Sequence, residues 1–331
     1  MKSRKALWII ALIIVMAAVL SFYFFADDGI LTKQFFCMDT SVKLSASNDN
    51  IDKYARIIKK LDKSLSAYSS KSEISKLNKN GNAKLSDLTV DLLKKAKALT
   101  ADYPQVDITA GALTELWNIN SDKPKLPKDS YIQSALKTVG SDNIAIKGND
   151  VTLKSGAKVD LGSCAKGYAL DLLFDEFEKS DEKCAVLSFG SSTLLFGGKS
   201  DGKPFVTAVS NPDDSNSQVL EFKSGQCFVS TSGGYERFFE IDGKRYCHII
   251  DLKTGSPAES DLTSVTVISK DNGLLTDFLS TCIFIDGVDN IEKYLNDNSY
   301  EVIALGKDKK IYCSKSIKDK IKITNDNYSF K

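Results

Sequence analysis

The chain has 331 residues, 42% hydrophobic and 26% charged, with a formal net charge of +1. That composition suits a globular protein and excludes a disordered or collagen-like one. It shows no basic stripe interleaved with aromatics, which excludes nucleic acid as the partner.

Lys2, Arg4 and Lys5 precede an apolar run over residues 6–26, broken only by Ser21 and followed by Asp27 and Asp28. A membrane-spanning helix needs about 20 apolar residues. Positive charge ahead of such a run keeps the N-terminus in the cytoplasm and exports the body. The apolar part of a cleaved leader is about 7–15 residues, and Phe24-Phe25-Ala26 is a poor small-x-small cleavage site. Residues 1–30 are therefore expected to form an uncleaved signal anchor and linker, with a cleaved leader as the alternative. Residues 31–331 are expected to form one large domain at the extracytoplasmic face of the cell membrane. No cysteine stands at the end of the run to carry a lipid.

Residues 27–34 read as a linker, and 37–46 alternate like a single strand. Apolar residues of 51–65 recur at the helical period. Ser72 and Glu73 open a short helix over 72–77, and Ser86 caps another over 87–99. Residues 159–162 read as the end of a strand that feeds a helix at 165–177. Strands are expected at 185–189 and 265–268, a helix at 274–285, and a closing hairpin from 300–305 and 310–313. The mixture places the domain in the α/β or α+β class. The seven cysteines stand singly, with no C-x-x-C pair, so zinc and thiol-redox motifs lack support. Buried free thiols are the expectation, which suits a reducing habitat; one or two disulfides remain open.

Four segments carry chemistry. In Val159-Asp160-Leu161-Gly162-Ser163-Cys164-Ala165-Lys166, a small-residue turn enters a helix whose N-terminal N–H groups suit an anion. Lys166 adds a point charge for phosphate; an ordinary tight turn is the alternative. Asp277, Ser280 and Thr281 share one helix face, and their hard oxygen donors suit Mg²⁺; a buried polar cluster is the alternative. Asp107-Ile108-Thr109-Ala110-Gly111-Ala112 has small side chains that would let a flat ligand approach the backbone, or simply enter a helix. Ser230 to Arg237 forms a polar turn able to line a cleft, ahead of His248, the only histidine of the chain. Histidine titrates near neutrality. Other nucleotide fingerprints fail: no G-x-G-x-x-G follows a strand, and Thr193 stands where a P-loop ending in Gly198-Lys199-Ser200 would need its first glycine.

Taken in order, residues 38–40, 68–78, 107–117, 160–168, 232–235, 248–257 and 277–287 resemble the ApbE family of flavin transferases. The resemblance runs from about Phe36 to the C-terminus. It implies an α/β fold with FAD in a deep cleft, Mg²⁺ near the pyrophosphate, and transfer of FMN to a Thr or Ser hydroxyl of a protein with release of AMP. By position, Met38, Tyr68, Thr109, Ala110, Gly111, Ala112, Asp160, Lys166, His248 and Ile249 would contact FAD. Ser163, Asp277, Ser280, Thr281 and the carbonyl of Ala165 would surround the metal. His248 is the candidate base by chemistry, with Asp277 and Asp251 as alternatives. The implied acceptors are exported FMN-binding domains of electron-transfer systems, such as Rnf-type complexes. An FAD pyrophosphatase and a non-catalytic flavin carrier are the competing readings. The chain departs from the family pattern at Asp39, Gly234 and Leu252, where Gly, Asp and Pro are usual. Residues 188–192 also differ, reading Ser-Phe-Gly-Ser-Ser for Asn-x-Gly-Gly-Asp.

Overall fold

Alternation along two strands sets the architecture. Leu194 and Phe196 are buried on one side of their strand and Leu195 on the other. Phe228 joins the first side, and Cys227 and Val229 the second. A sheet whose successive residues enter two cores is the middle layer of three.

The computed structural model describes residues 29–67, 69–119, 124 and 126–331. The expected anchor and Tyr68 lie outside the described residues. No helix among the described residues is long and apolar enough to cross a membrane.

The middle layer is a nine-stranded sheet whose spatial order follows the chain. Its strands are β1 (Leu31–Cys37), β2 (Thr40–Ala46), β3 (Cys184–Ser188), β4 (Ser192–Gly197), β5 (Cys227–Gly233), β6 (Leu262–Ser269), β7 (Glu301–Gly306), β8 (Lys310–Cys313) and β9 (Ser329–Phe330). Neighbours are antiparallel except β8 and β9. The 37–46 strand is a hairpin instead: Met38 and Asp39, at φ 51° and 57°, turn the chain between β1 and β2. Four of the eight linker residues, 31–34, belong to β1. Residues 159–162 form no strand; only Lys158 bridges, to Ala110.

The helices longer than one turn are α1 (Ile51–Leu65), α2 (Glu73–Asn80), α3 (Asp87–Asp102), α4 (Gly111–Trp117), α5 (Asp129–Leu136), α6 (Ala165–Glu178) and α7 (Gly273–Asp286). Both serine caps form: Ser72 accepts from the Ser75 N–H and Ser86 from the Thr89 N–H. Helices α1 and α6 cover one sheet face through Tyr54, Ile58, Leu173 and Phe177. On the other face lies a three-stranded sheet of Phe205–Asn211, Asp214–Ser224 and Ile321–Ile323, which buries Phe205, Leu220 and Phe222. A small core of Leu113, Trp117, Ile132 and Phe239 packs beside them. The Trp117 indole donates to the Gly255 carbonyl at 2.8 Å and so ties down the segment that follows His248. All seven cysteines are free thiols.

Helix α7 is apolar nearly all round, as a fully buried helix must be. It packs on α6 at two glycines. A Cβ on Gly167 would fall 2.2 Å from the Gly273 carbonyl oxygen, and one on Gly273 would fall 2.8 Å from that of Gly167. Asp171 of α6 accepts from the Gly273 and Leu274 N–H groups and caps the start of α7. This contact fixes the site.

Candidate active site

The close packing of α6 and α7 brings Asp277, one turn into α7, against the first turn of α6. Its Oδ2 accepts from the Gly167 N–H at 2.9 Å and its Oδ1 from the Ser192 hydroxyl at 3.1 Å. The side chain is 5% exposed, and it borders a cavity of about 570 Å³. One turn further, the Thr281 hydroxyl reaches the same cavity, 3.1 Å from the Ser232 hydroxyl. Lys166 enters from the start of α6, its ammonium 2.9 Å from the Ser191 hydroxyl. Ser163, Ala165 and Asp160 line the turn before it. Asp160 holds that turn through the Gly162 N–H at 2.7 Å.

His248 faces them from another wall. Its Nδ1 lies 3.2 Å from the Arg237 carbonyl oxygen, an acceptor, so Nδ1 carries the proton and Nε2 keeps its lone pair. Burial pushes the imidazole down to about 4, and the Arg237 and Lys166 charges act in the same direction against that hydrogen bond. At neutral pH the ring is uncharged. Glu236 lines the cavity at its solvent-exposed side, and partial desolvation there raises its carboxyl. Lys166 and Arg237 pull it down, and Asp277 adds to the rise.

The cavity thus gathers Met38, Ala110, Asp160, Lys166, His248, Ile249, Ser163, Ala165, Asp277 and Thr281 from the sequence reading. Five others stand outside its lining. Thr109 is fully buried, bound to Asp107 at 2.7 Å and accepting from the Gly140 N–H at 2.8 Å. Gly111 makes room for the Lys158 backbone, whose carbonyl would lie 2.7 Å from an added Cβ. Ala112 follows it within α4 and also stays out of the lining. Ser280 points behind Thr281, 2.8 Å from the Ser232 hydroxyl and 3.0 Å from the Asp277 carbonyl. Asp251 shapes a turn, accepting from the Lys253 and Gly255 N–H groups, and is not in the lining. The polar turn expected to line a cleft does so through Thr231, Ser232, Glu236 and Arg237, whereas Asp62 and Ser191 were not foreseen as cavity residues. Asp62 lies in the last turn of α1, where nothing in the helical pattern marks it.

Six carboxylates, on Asp39, Asp62, Asp107, Asp160, Glu236 and Asp277, face the cavity with Lys166 and Arg237. An anionic pyrophosphate entering such a lining needs a further cation. Asp277 and Thr281 offer hard oxygen donors. No group of three or more His, Cys, Asp or Glu side chains forms a metal cage among the described residues. That donor set fits Mg²⁺, which holds few protein ligands and keeps waters or phosphate oxygens for the rest.

A family model, the ApbE family, matches residues 38–305. The FAD:protein FMN transferase of Vibrio cholerae is 28% identical over 274 residues, covering 80% of this chain and 82% of the relative. That of Haemophilus influenzae is 27% identical over 292 residues, covering 84% and 81%. The crystal structure of the ApbE protein from Thermotoga maritima superposes with a TM-score of 0.81 at 28% identity, over 88% of this chain and 99% of that one.

Proposed function

The chain belongs to the ApbE family, and from that premise we propose that this FAD:protein FMN transferase moves FMN from FAD to a Thr or Ser hydroxyl of an exported protein, releasing AMP. One observation carries the reading. The start of α6, with Lys166 and Asp277, and an uncharged His248 with a free Nε2 face the same cavity.

Each residue has a task in such a transfer. The bond that forms joins the acceptor oxygen to the FMN-side phosphorus; the bond that breaks joins that phosphorus to the bridging oxygen, which leaves with AMP. Lys166 holds the phosphates as a point charge at the start of α6. Asp277, Thr281, the Ala165 carbonyl and Ser163 would hold Mg²⁺, which when bound supplies positive charge beside the phosphate oxygens. His248 Nε2 takes the hydroxyl proton. Its lowered basicity belongs to the free protein. The negative charge of the pyrophosphate offsets Arg237 and Lys166 and raises it when FAD binds.

The domain acts outside the cytoplasmic membrane, held by residues 6–26, a reading supported by Lys2, Arg4 and Lys5 ahead of the apolar run. FMN-binding domains of electron-transfer systems, Rnf-type among them, are its acceptors. The deciding experiment incubates the full chain with FAD, Mg²⁺ and a purified FMN-binding domain, and follows AMP and the acceptor's intact mass. An acceptor heavier by one FMN, dependent on Mg²⁺, is the expected result. AMP without an adduct makes the protein a pyrophosphatase, and bound FAD without AMP makes it a carrier. Protease protection of the domain in spheroplasts would rule out the exported location.

A further inference from the structure

Among the described residues only two phenylalanines are exposed, Phe36 at 75% and Phe238 at 40%. Both lie within three residues in the chain of a partner in the same ion pair. Arg237 grips Asp39 through its carboxylate and, at 2.7 Å, its main-chain carbonyl. Asp39 and Arg237 line the cavity, whereas Phe36 and Phe238 do not. Phe36 lies three residues before Asp39 on β1, the edge strand of the sheet, opposite Ser41 of β2. Phe238 follows Arg237 directly, with the Arg245 guanidinium stacked 4.0 Å above its ring. One ion pair therefore joins two segments of the cavity lining, and each segment carries an exposed aromatic residue within three positions of it. Large apolar side chains left in water beside a binding cleft mark an interaction surface. Aromatic residues and Arg are the side chains on which protein interfaces most often depend.

We propose that this rim is the docking surface for the acceptor polypeptide, and that Phe36 and Phe238 receive apolar side chains placed within a few residues of its target hydroxyl. The proposal rests on the transferase reading, which requires a protein hydroxyl to cross this rim to reach His248. FAD does not account for the two rings, because they stand outside the lining. The fork between Arg237 and Asp39 links the two banks of the rim.

The test uses the full chain in detergent with FAD, Mg²⁺ and a purified Rnf-type FMN-binding domain as the probe. The variants are Phe36→Ser, Phe238→Ser and their combination, with Val206→Ser, 53% exposed on the far small sheet, as the control. The double variant is expected to raise the acceptor KM by about 10-fold or more, with kcat, FAD affinity and melting temperature unchanged, and Val206→Ser to behave as wild type. Either single ring change should give part of the effect. An unchanged acceptor KM in the double variant overturns the proposal. So does a KM rise that comes with weakened FAD binding, which would assign the rings to the flavin. Loss of self-association with an unchanged KM would give the rim to a second copy of the chain. No labelling by the wild type sinks the transferase reading itself, an outcome independent of every rim variant.

Discussion

Two walls of one cavity are built in opposite ways. The α6–α7 wall is made by packing: two glycines in contact, an aspartate capping the neighbouring helix, and Asp277 held by a backbone N–H and a buried serine. The wall of Asp39, Arg237 and His248 is made by local turns and an exposed ion pair, with side chains 53% and 38% exposed at Asp39 and Arg237. The first wall cannot shift without unpacking a core. The second hangs on a few hydrogen bonds and can adapt. A site that must hold an anion rigidly and admit a protein needs one wall of each kind.

Breaking the packed wall should have the largest effects. Asp277→Ala is expected to lower AMP release by on the order of 10³-fold, while the circular dichroism spectrum is retained. Turnover within a few-fold of wild type would remove Asp277 from the site. Gly167→Ala places a methyl group against the Gly273 carbonyl and the Asp277 Cβ. The helices must part, at roughly 2–3 kcal/mol, and Asp277 moves with α7. A drop in melting temperature together with an activity loss of about 10²-fold is expected. A stable and fully active Gly167→Ala protein would show that the contact does not position Asp277.

The same contrast explains what the sequence made legible. Helix α6 was readable because its apolar residues repeat every three or four positions, α7 because its run is largely apolar, and Ser72 and Ser86 because a cap is a local act of one side chain. The Asp277 and Thr281 pair followed from helix geometry alone. The turn at Met38 and Asp39 was not readable. A hairpin turn with two positive φ values favours Asn-Gly, and here neither residue is glycine, so the alternation of β1 continues through the turn into β2 in the sequence. Small residues at Gly111 and Ala112 gave no means of telling a ligand's approach from that of the Lys158 backbone. Arg237 pairs with Asp39 across 198 positions, beyond any periodic pattern.

The single histidine makes the adaptable wall measurable. One imidazole signal exists to titrate, and burial places it at about 4 in the free protein, below its ordinary value of 6.5. As pH falls the unfolded chain takes the proton first. The stability that His248 contributes is therefore complete above about 6.5 and lost between there and about 4, roughly 3 kcal/mol over that window. Activity that needs the neutral ring falls as pH drops through the higher midpoint of the FAD-bound protein. Nuclear magnetic resonance titration of the free protein should give a midpoint near 4, moving upward when FAD binds. A free-protein midpoint near 6.5 would mean that the ring is not buried among those charges. His248→Gln should flatten the acid loss of stability.

The smallest effect is expected where the adaptable wall meets the sheet. Asp39 holds φ at 57°, a left-handed conformation that costs a non-glycine residue about 1–2 kcal/mol, and less for Asp, which tolerates it better. Against this stands the ion pair with Arg237, at side-chain exposures where such pairs contribute about 0.2–1 kcal/mol. Asp39→Gly removes both. Arg237 keeps its bond to the main-chain carbonyl of residue 39, because that atom survives the change. The two losses nearly cancel, so the melting temperature should shift by no more than about 2 °C, upward if it moves. A fall of several degrees would mean that the carboxylate fork holds the rim far more strongly than an exposed pair can, and the wall of Asp39, Arg237 and His248 would then be as rigid as the one built from α6 and α7.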